Sequence, residues 1–168
     1  MRRLLLSLGT AMSLLAQGLV PLEVDAEKRL PFKRVETSIR RHLGRPYVWG
    51  ASGLKGFDCS GFVWRVFWDA GYLVKRTTAR KMFLSLQEPG EGLERLPGNL
   101  VFFDDLAHVG IVENETHFYH SGTSLGTSRA AFGEHWEHMI TGYRTVEGVS
   151  WAPKKKKITN GASSLKKQ

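Results

Sequence analysis

The chain has 168 residues, 42% of them hydrophobic, with a formal net charge of +8 and one cysteine. A single thiol excludes an intramolecular disulfide and a multi-thiolate metal site, and residues 27–150 suffice for one compact domain but not for two. The charge is concentrated: residues 27–150 carry 16 Lys and Arg against 14 Asp and Glu, while residues 151–168 carry six Lys and no acid. A terminal lysine run is not a nucleic-acid site, so no nucleic-acid partner is expected. No internal repeat is visible, and nothing in the sequence demands more than a monomer.

In chain order, residues 1–26 open with Arg2-Arg3 and an apolar stretch from Leu4 to Val20. This is the pattern of a cleavable secretory signal peptide, with exits at Ala16-Gln17-Gly18 or Val24-Asp25-Ala26. A retained N-terminal anchor is the alternative. No cysteine lies near either exit, so no lipid anchor is expected, and the product is placed in the periplasm or outside the cell. An oxidising compartment suits a chain whose one thiol has no internal partner.

A first helix is expected over residues 32–43, with His42 solvated on it, followed by a loop carrying Tyr47 and Trp49. A turn from Gly53 to Gly56 then leads into a second helix. There Phe62, Val63, Val66, Phe67 and Ala70 recur at helical spacing, and Gly71 marks the stop. Cys59 falls in the first turn of that helix. Unpaired backbone N–H groups and the positive dipole end favour a thiolate there, and a thiolate is a nucleophile near neutral pH. A free cysteine is also commonly just a small buried apolar residue. Trp68 is expected in the core. An irregular stretch follows from Leu73 to Pro97, with a short helix starting near Arg76–Arg80. Strands are expected near residues 100–104, 108–112, 116–121 and 139–145. A helix followed by an antiparallel sheet is α+β.

A nucleophilic cysteine needs a base. His108 opens an apolar strand, and His117-Phe118-Tyr119-His120 follows the polar break Glu113-Asn114-Glu115, so the two segments read as a hairpin. With a three-residue loop at 113–115, His108 lies opposite His120 on one face and His117 points to the other. A two-residue loop would flip one strand and separate them. On the odd loop, His108 serves as base to Cys59 and His120 orients it through the second ring nitrogen. Each histidine alone reads equally as a hydrogen-bonded strand residue. His135 and His138 flank Trp136, but no third ligand is evident, so no metal is expected.

The motifs together resemble the NlpC/P60 family of cell-wall cysteine peptidases over residues 35–145. Gly44-Arg45-Pro46-Tyr47-Val48-Trp49-Gly50 resembles the family's first motif, and Gly56-Phe57-Asp58-Cys59-Ser60-Gly61-Phe62-Val63 its nucleophile motif. Pro97 to Phe103, His108-Val109-Gly110-Ile111 and Phe118-Tyr119-His120-Ser121 follow in family order. The resemblance implies a compact papain-like fold in which a nucleophile helix packs on an antiparallel sheet. It implies Cys59 as nucleophile, His108 as base and His120 as orienter. Tyr47 is implied to line the site and stabilise the oxyanion. Asp58 and Ser60 are implied to hold the substrate's free amino terminus. The layout of elements puts the cleft where the cysteine helix meets the hairpin, lined by Tyr47 and Trp49, with Trp64 a further candidate. Asp58 is also a natural helix N-cap. Two positions depart from the pattern: Ala51 stands where a second glycine is usual, and Asn99 where an aspartate is usual. The first is expected to narrow the groove, and the second to change a turn distant from the chemistry.

What the resemblance implies is hydrolysis of peptidoglycan stem peptides at the γ-D-glutamyl–diamino acid bond, often to diaminopimelate, without metal or organic cofactor. The same residues are compatible with an N-acetylmuramoyl-L-alanine amidase or an acyltransferase of the papain-like group. A catalytically silent wall-binding module would not need all of Cys59, His108 and His120. The lysines of residues 151–168 form a polar tail, expected to be disordered. It is either a solvated appendage or an attachment to anionic envelope polymers or lipid headgroups.

Overall fold

A computed structural model describes residues 22–53 and 55–149, with side-chain surroundings given from residue 32. The signal peptide assigned to residues 1–26 and the basic tail at 151–168 fall almost wholly outside the described residues. The elements run α1 (Leu22–His42), β1 (Ser52–Gly53), β2 (Gly56–Phe57), α2 (Cys59–Asp69), α3 (Ala79–Ser85) and β3 (Leu100–Phe103). They continue with β4 (His108–Asn114), β5 (His117–Gly122), β6 (Gly126–Ala131), α4 (Glu134–Met139) and β7 (Ile140–Arg144). Five strands form one antiparallel sheet in the order β6-β5-β4-β3-β7. The fold is the expected α+β arrangement of a nucleophile helix on an antiparallel sheet. Among the described residues no helix is long and apolar enough to cross a membrane.

Strand alternation divides the apolar side chains between two clusters. Leu100, Phe102, Val109, Ile111 and Tyr119 face α1 and α2, where they meet Val35, Ile39, Phe62, Val63, Val66 and Phe67. Val101, Phe103, Val112 and Phe118 face the other way and are covered by Phe132, Trp136, Met139, Ile140 and Tyr143. Phe62, Val63, Val66 and Phe67 are fully buried. At about 1.5–3 kcal/mol for each such side chain, this stripe fixes α2 to the sheet.

Several expectations are corrected. The first helix extends back to Leu22. His42 is not solvated: it is 4% exposed, bound through Nε2 to Asp69 Oδ2 at 2.8 Å and packed edge-on to Phe57. Trp68 is not core but 56% exposed, stacked on Trp64 at 5.8 Å. Asn99, by contrast, does sit at a turn as expected: it is buried, and its Nδ2 donates to the carbonyls of Leu93 and Glu94, closing the preceding loop upon itself. Strand β6 and helix α4 have no counterpart in the sequence reading. Gly126-Thr127-Ser128-Arg129-Ala130-Ala131 lacks the bulky apolar alternation of a strand and is held by its ladder to β5.

That ladder matters for the site, because β6 anchors the loop before it. Gly44 N–H donates to the Thr127 carbonyl, and Thr127 N–H donates to the Arg45 carbonyl, both at 2.8 Å. Gly126 has φ +65°, and a Cβ there would collide with the Arg45 carbonyl. The loop then pairs with β2, where Val48 N–H donates to Phe57 O and Phe57 N–H to Pro46 O, each at 3.1 Å. Tyr47 is thereby fixed beside the start of α2.

Candidate active site

Asp58 caps α2, accepting the Gly61 N–H at 2.5 Å and the Ser60 hydroxyl at 2.9 Å on Oδ1. The cap sets Cys59 as the first helical residue. Gly61 is required by packing: a Cβ there would strike the Ala51 carbonyl, which itself accepts the Asp58 N–H. The Cys59 thiol donates to the Ala107 carbonyl at 3.9 Å, and the Val109 N–H is aimed at the same sulfur. The sulfur therefore rests against the backbone on either side of His108. Among the described residues the thiol's hydrogen bond is to Ala107, not to the His108 imidazole.

His108 and His120 do meet. His108 Nε2 and His120 Nδ1 share a hydrogen bond of 2.9 Å, with the rings nearly perpendicular. The route differs from the expected one. Asn114 pairs with His117, which leaves the two-residue loop that would place the histidines on opposite faces. A bulge at Glu113 adds one residue to β4 and restores the parity, so that Gly110 lies opposite His120. His108 and His120 are diagonal neighbours on one face rather than a directly opposed pair. The turn before β4 is tight, with Asp104, Asp105 and Leu106 all at positive φ.

Electrostatics make the resting site neutral. Burial, with a smaller contribution from His120, lowers His108 to about 4, and burial lowers His120 to about 4. Both are therefore neutral imidazoles at physiological pH. The thiol departs from expectation. Burial and then the Asp58 carboxylate push it above its ordinary range, and the N–H groups of Val109, Ser60 and Cys59 offset only part of this. Desolvation of the anion outweighs the helix terminus. Burial thus favours the protonated thiol over the thiolate and the neutral form of both imidazoles.

Tyr47 is half-buried, and burial followed by the nearby Cys59 and Asp58 raises its phenol. It therefore lies beside Cys59. Ser60 and Asp58 lie together, but they are occupied by a group that the sequence reading missed. Arg76 donates to Asp58 Oδ2 and Ser60 Oγ at 3.1 Å, to Thr77 O at 3.0 Å and to Gly50 O at 3.2 Å. A substrate ammonium approaching Asp58 would meet this guanidinium first. The one sequence signal was a carboxylate at a buried helix start, which needs a cation. Trp49 does not join the group; it is 87% exposed on the turn before Ala51. Trp64 stacks on Trp68 instead. A second residue missed from the sequence, Trp136, lies against both imidazoles. Its flanking histidines belong to no metal cluster among the described residues.

Comparison with known proteins bears on the family and the fold. The chain is 34% identical to the "Probable endopeptidase p60" of Listeria seeligeri over 110 residues, 64% of this chain and 21% of that protein. It is 35% identical to the "Probable endopeptidase NlpC" of Escherichia coli over 101 residues, 56% of this chain and 64% of that one. It thus spans from about a fifth to under two thirds of the length of these relatives. A crystal structure of an NLP/P60-family protein from Staphylococcus aureus superposes with TM-score 0.61 at 27% identity, covering 70% of this chain and 41% of that one. The peptidoglycan hydrolase RipB of Mycobacterium tuberculosis shares the fold, with TM-score 0.58 at 22% identity over 75% of this chain and 67% of that one. The model of the NlpC/P60 family matches residues 44–145, which hold Tyr47, Cys59, His108 and His120, and the chain belongs to that family.

Proposed function

We propose that this chain is a secreted or periplasmic cysteine endopeptidase acting on peptidoglycan stem peptides, at the bond between γ-D-glutamate and a diamino acid such as diaminopimelate. The observation that carries the reading is the His108–His120 pair, hydrogen-bonded at 2.9 Å between β4 and β5, with Cys59 Sγ against the carbonyl of Ala107, the residue just before His108. Family membership and the curated relatives support the reaction class.

The geometry suggests the following chemistry. His108 Nε2–H donates to His120 Nδ1, which leaves His108 Nδ1 as the lone-pair nitrogen. The Cys59 thiol passes its proton to Nδ1 as sulfur attacks the γ-glutamyl carbonyl carbon. Charge develops on the carbonyl oxygen, where the Cys59 N–H and the Tyr47 hydroxyl donate. The C–N bond breaks as His108 returns the proton to the departing amine, leaving a thioester. Water then gives a proton to His108 and attacks the acyl carbon, releasing a carboxylic acid and regenerating the thiol. Because the thiol starts protonated, transfer to His108 accompanies attack instead of preceding it. For Asp58 and Ser60 to hold the substrate's amino end, the Arg76 guanidinium that now occupies both must swing away.

The test is mass spectrometry of defined diaminopimelate-type muropeptides, from tripeptide to cross-linked tetrapeptide, after incubation with wild type and Cys59→Ala. A Cys59-dependent cut after γ-D-glutamate is the expected result. A released intact stem with free glycan would reassign the chain as an amidase, and cleavage by Cys59→Ala at the wild-type rate would refute the nucleophile.

A further inference from the structure

Among the described residues Trp136 is the one aromatic side chain in contact with both imidazoles. Its indole lies nearly parallel to His108, at 28° and 5.7 Å between centroids, and edge-on to His120, at 78° and 5.1 Å. Phe103 and Phe118 pack against the same indole at 4.8 and 5.1 Å and fix its plane. It is carried by α4, a short helix with no fully buried residue, from which Trp136 and Met139 alone reach the sheet cluster. The helix is clamped from outside. Arg95 forks onto Glu137 at 2.8 and 2.6 Å and also holds Tyr143 Oη and the Glu115 carbonyl.

We infer that Trp136 is a positioning residue for the His108–His120 pair: its indole holds the two rings in their mutual geometry and keeps water from the hydrogen bond between them. The inference rests on the catalytic reading of His108. Phe103 flanks His108 at 6.0 Å and Phe118 flanks His120 at 5.2 Å, but each touches one ring only, and among the described residues no carboxylate is hydrogen-bonded to either imidazole. A base oriented by another neutral imidazole has no ionic partner to restore its position once it tilts. A ring covering both imidazoles supplies that restraint by shape.

The titratable and charged groups on the surrounding elements are Cys59, Arg65 and Asp69 of α2 with Asp58 at its cap, Asp104 and Asp105 of the turn before β4, Glu113 of β4, His117 and Tyr119 of β5, and Glu134, His135, Glu137 and His138 of α4. Glu137 is neutralised by Arg95, Glu134 lies 3.9 Å from His138 on the exposed side, and His135 packs edge-on to Trp136. None of these carboxylates contributes to the lowering of either imidazole, which comes from burial and, for His108, from His120. An indole face also attracts an imidazolium, which opposes the effect of burial. Burial dominates here, so opening the site to water raises both values.

The experiment is NMR titration of the His108 and His120 ring protons in the full chain, for wild type, Trp136→Ala and Trp136→Phe, with kcat and KM on a diaminopimelate stem peptide alongside. In Trp136→Ala at least one imidazole midpoint should rise by about a unit or more towards the ordinary value. Turnover should drop about 10- to 100-fold at nearly unchanged KM. Trp136→Phe should recover most of both effects. Midpoints that stay at wild-type values in Trp136→Ala overturn the inference. Should that variant fail to fold, Trp136→Leu gives the same reading, because it keeps apolar bulk but covers less of each ring; unchanged midpoints there also overturn it. The catalytic reading fails separately: His108→Ala that cleaves at the wild-type rate sinks it whatever the titration shows.

Discussion

Two imidazoles 2.9 Å apart cannot both hold a proton cheaply, and burial makes even the first proton costly. In the unfolded chain each has the ordinary value of 6.5, whereas in the folded protein each lies at about 4. Between these values the unfolded state binds more protons than the folded one, so stability falls as pH falls through that window and is level above it. For one such group the loss is on the order of 3 kcal/mol, a large part of a typical domain's stability. Urea unfolding at pH 7 and pH 4.5 should show it, and the double variant His108→Gln/His120→Gln should flatten the dependence. At the same scale, Asp58 shows how one residue serves two ends. It caps α2 and ties Arg76 to the site, and both carboxylate oxygens are already taken by chain donors. The N-cap role was legible in the sequence because Asp precedes an apolar helical run. The Arg76 contact, 18 residues away, was not.

At the scale of elements, α2 is the most strongly specified part of the chain. Its apolar stripe, its cap and its stop near Gly71 are local features, and the helix ends at Asp69 with Ala70 as C-cap. Its approach to the preceding loop depends on Gly61. Gly61→Ala places a methyl group into the Ala51 carbonyl, and backbone cannot give way as a side-chain tip can. A cost of about 1–3 kcal/mol is expected, measured as a lower urea midpoint with an unchanged m-value. The hairpin was legible in parity and not in detail. Polar residues at 113–115 mark the break but do not distinguish a three-residue loop from a two-residue loop with a bulge. Burial of Ile111 and Tyr119 against α2 and of Val112 and Phe118 on the other face decides it, since a slip of one residue would turn each set outward. Strand β6 and helix α4 were silent in sequence for a related reason. Neither carries a bulky apolar alternation of its own, and each depends on a partner distant in the chain: β6, beyond its hairpin to β5, on the Arg45 loop, and α4 on Arg95.

For the whole molecule, the near balance of charge in residues 27–150 and the lysines of 151–168 describe a nearly neutral domain with a basic extension. Under the proposed function that extension meets an anionic envelope. Removing residues 152–168 should lower retention on envelope fractions at low salt, with little difference at high salt. The rate on a soluble stem peptide should stay unchanged. Equal retention at low salt would end the idea.

What the sequence by itself determined is everything set by short-range pattern: the helix that presents Cys59, its Asp58 cap, the strands that carry His108 and His120, and the motif order that matches a family. The tertiary structure decided what depends on burial and on distant partners. It buried His42 against Asp69, exposed Trp49 and Trp68, placed Arg76 on Asp58 and Ser60, and laid Trp136 over both imidazoles. It also set the Cys59 thiol against the expected thiolate, because burial raises it. A helix start favours the thiolate wherever it occurs, but the penalty for burying that anion depends on how much chain closes over it. That packing brings residues 59, 107 and 109 around one sulfur, and no local stretch of sequence encodes it.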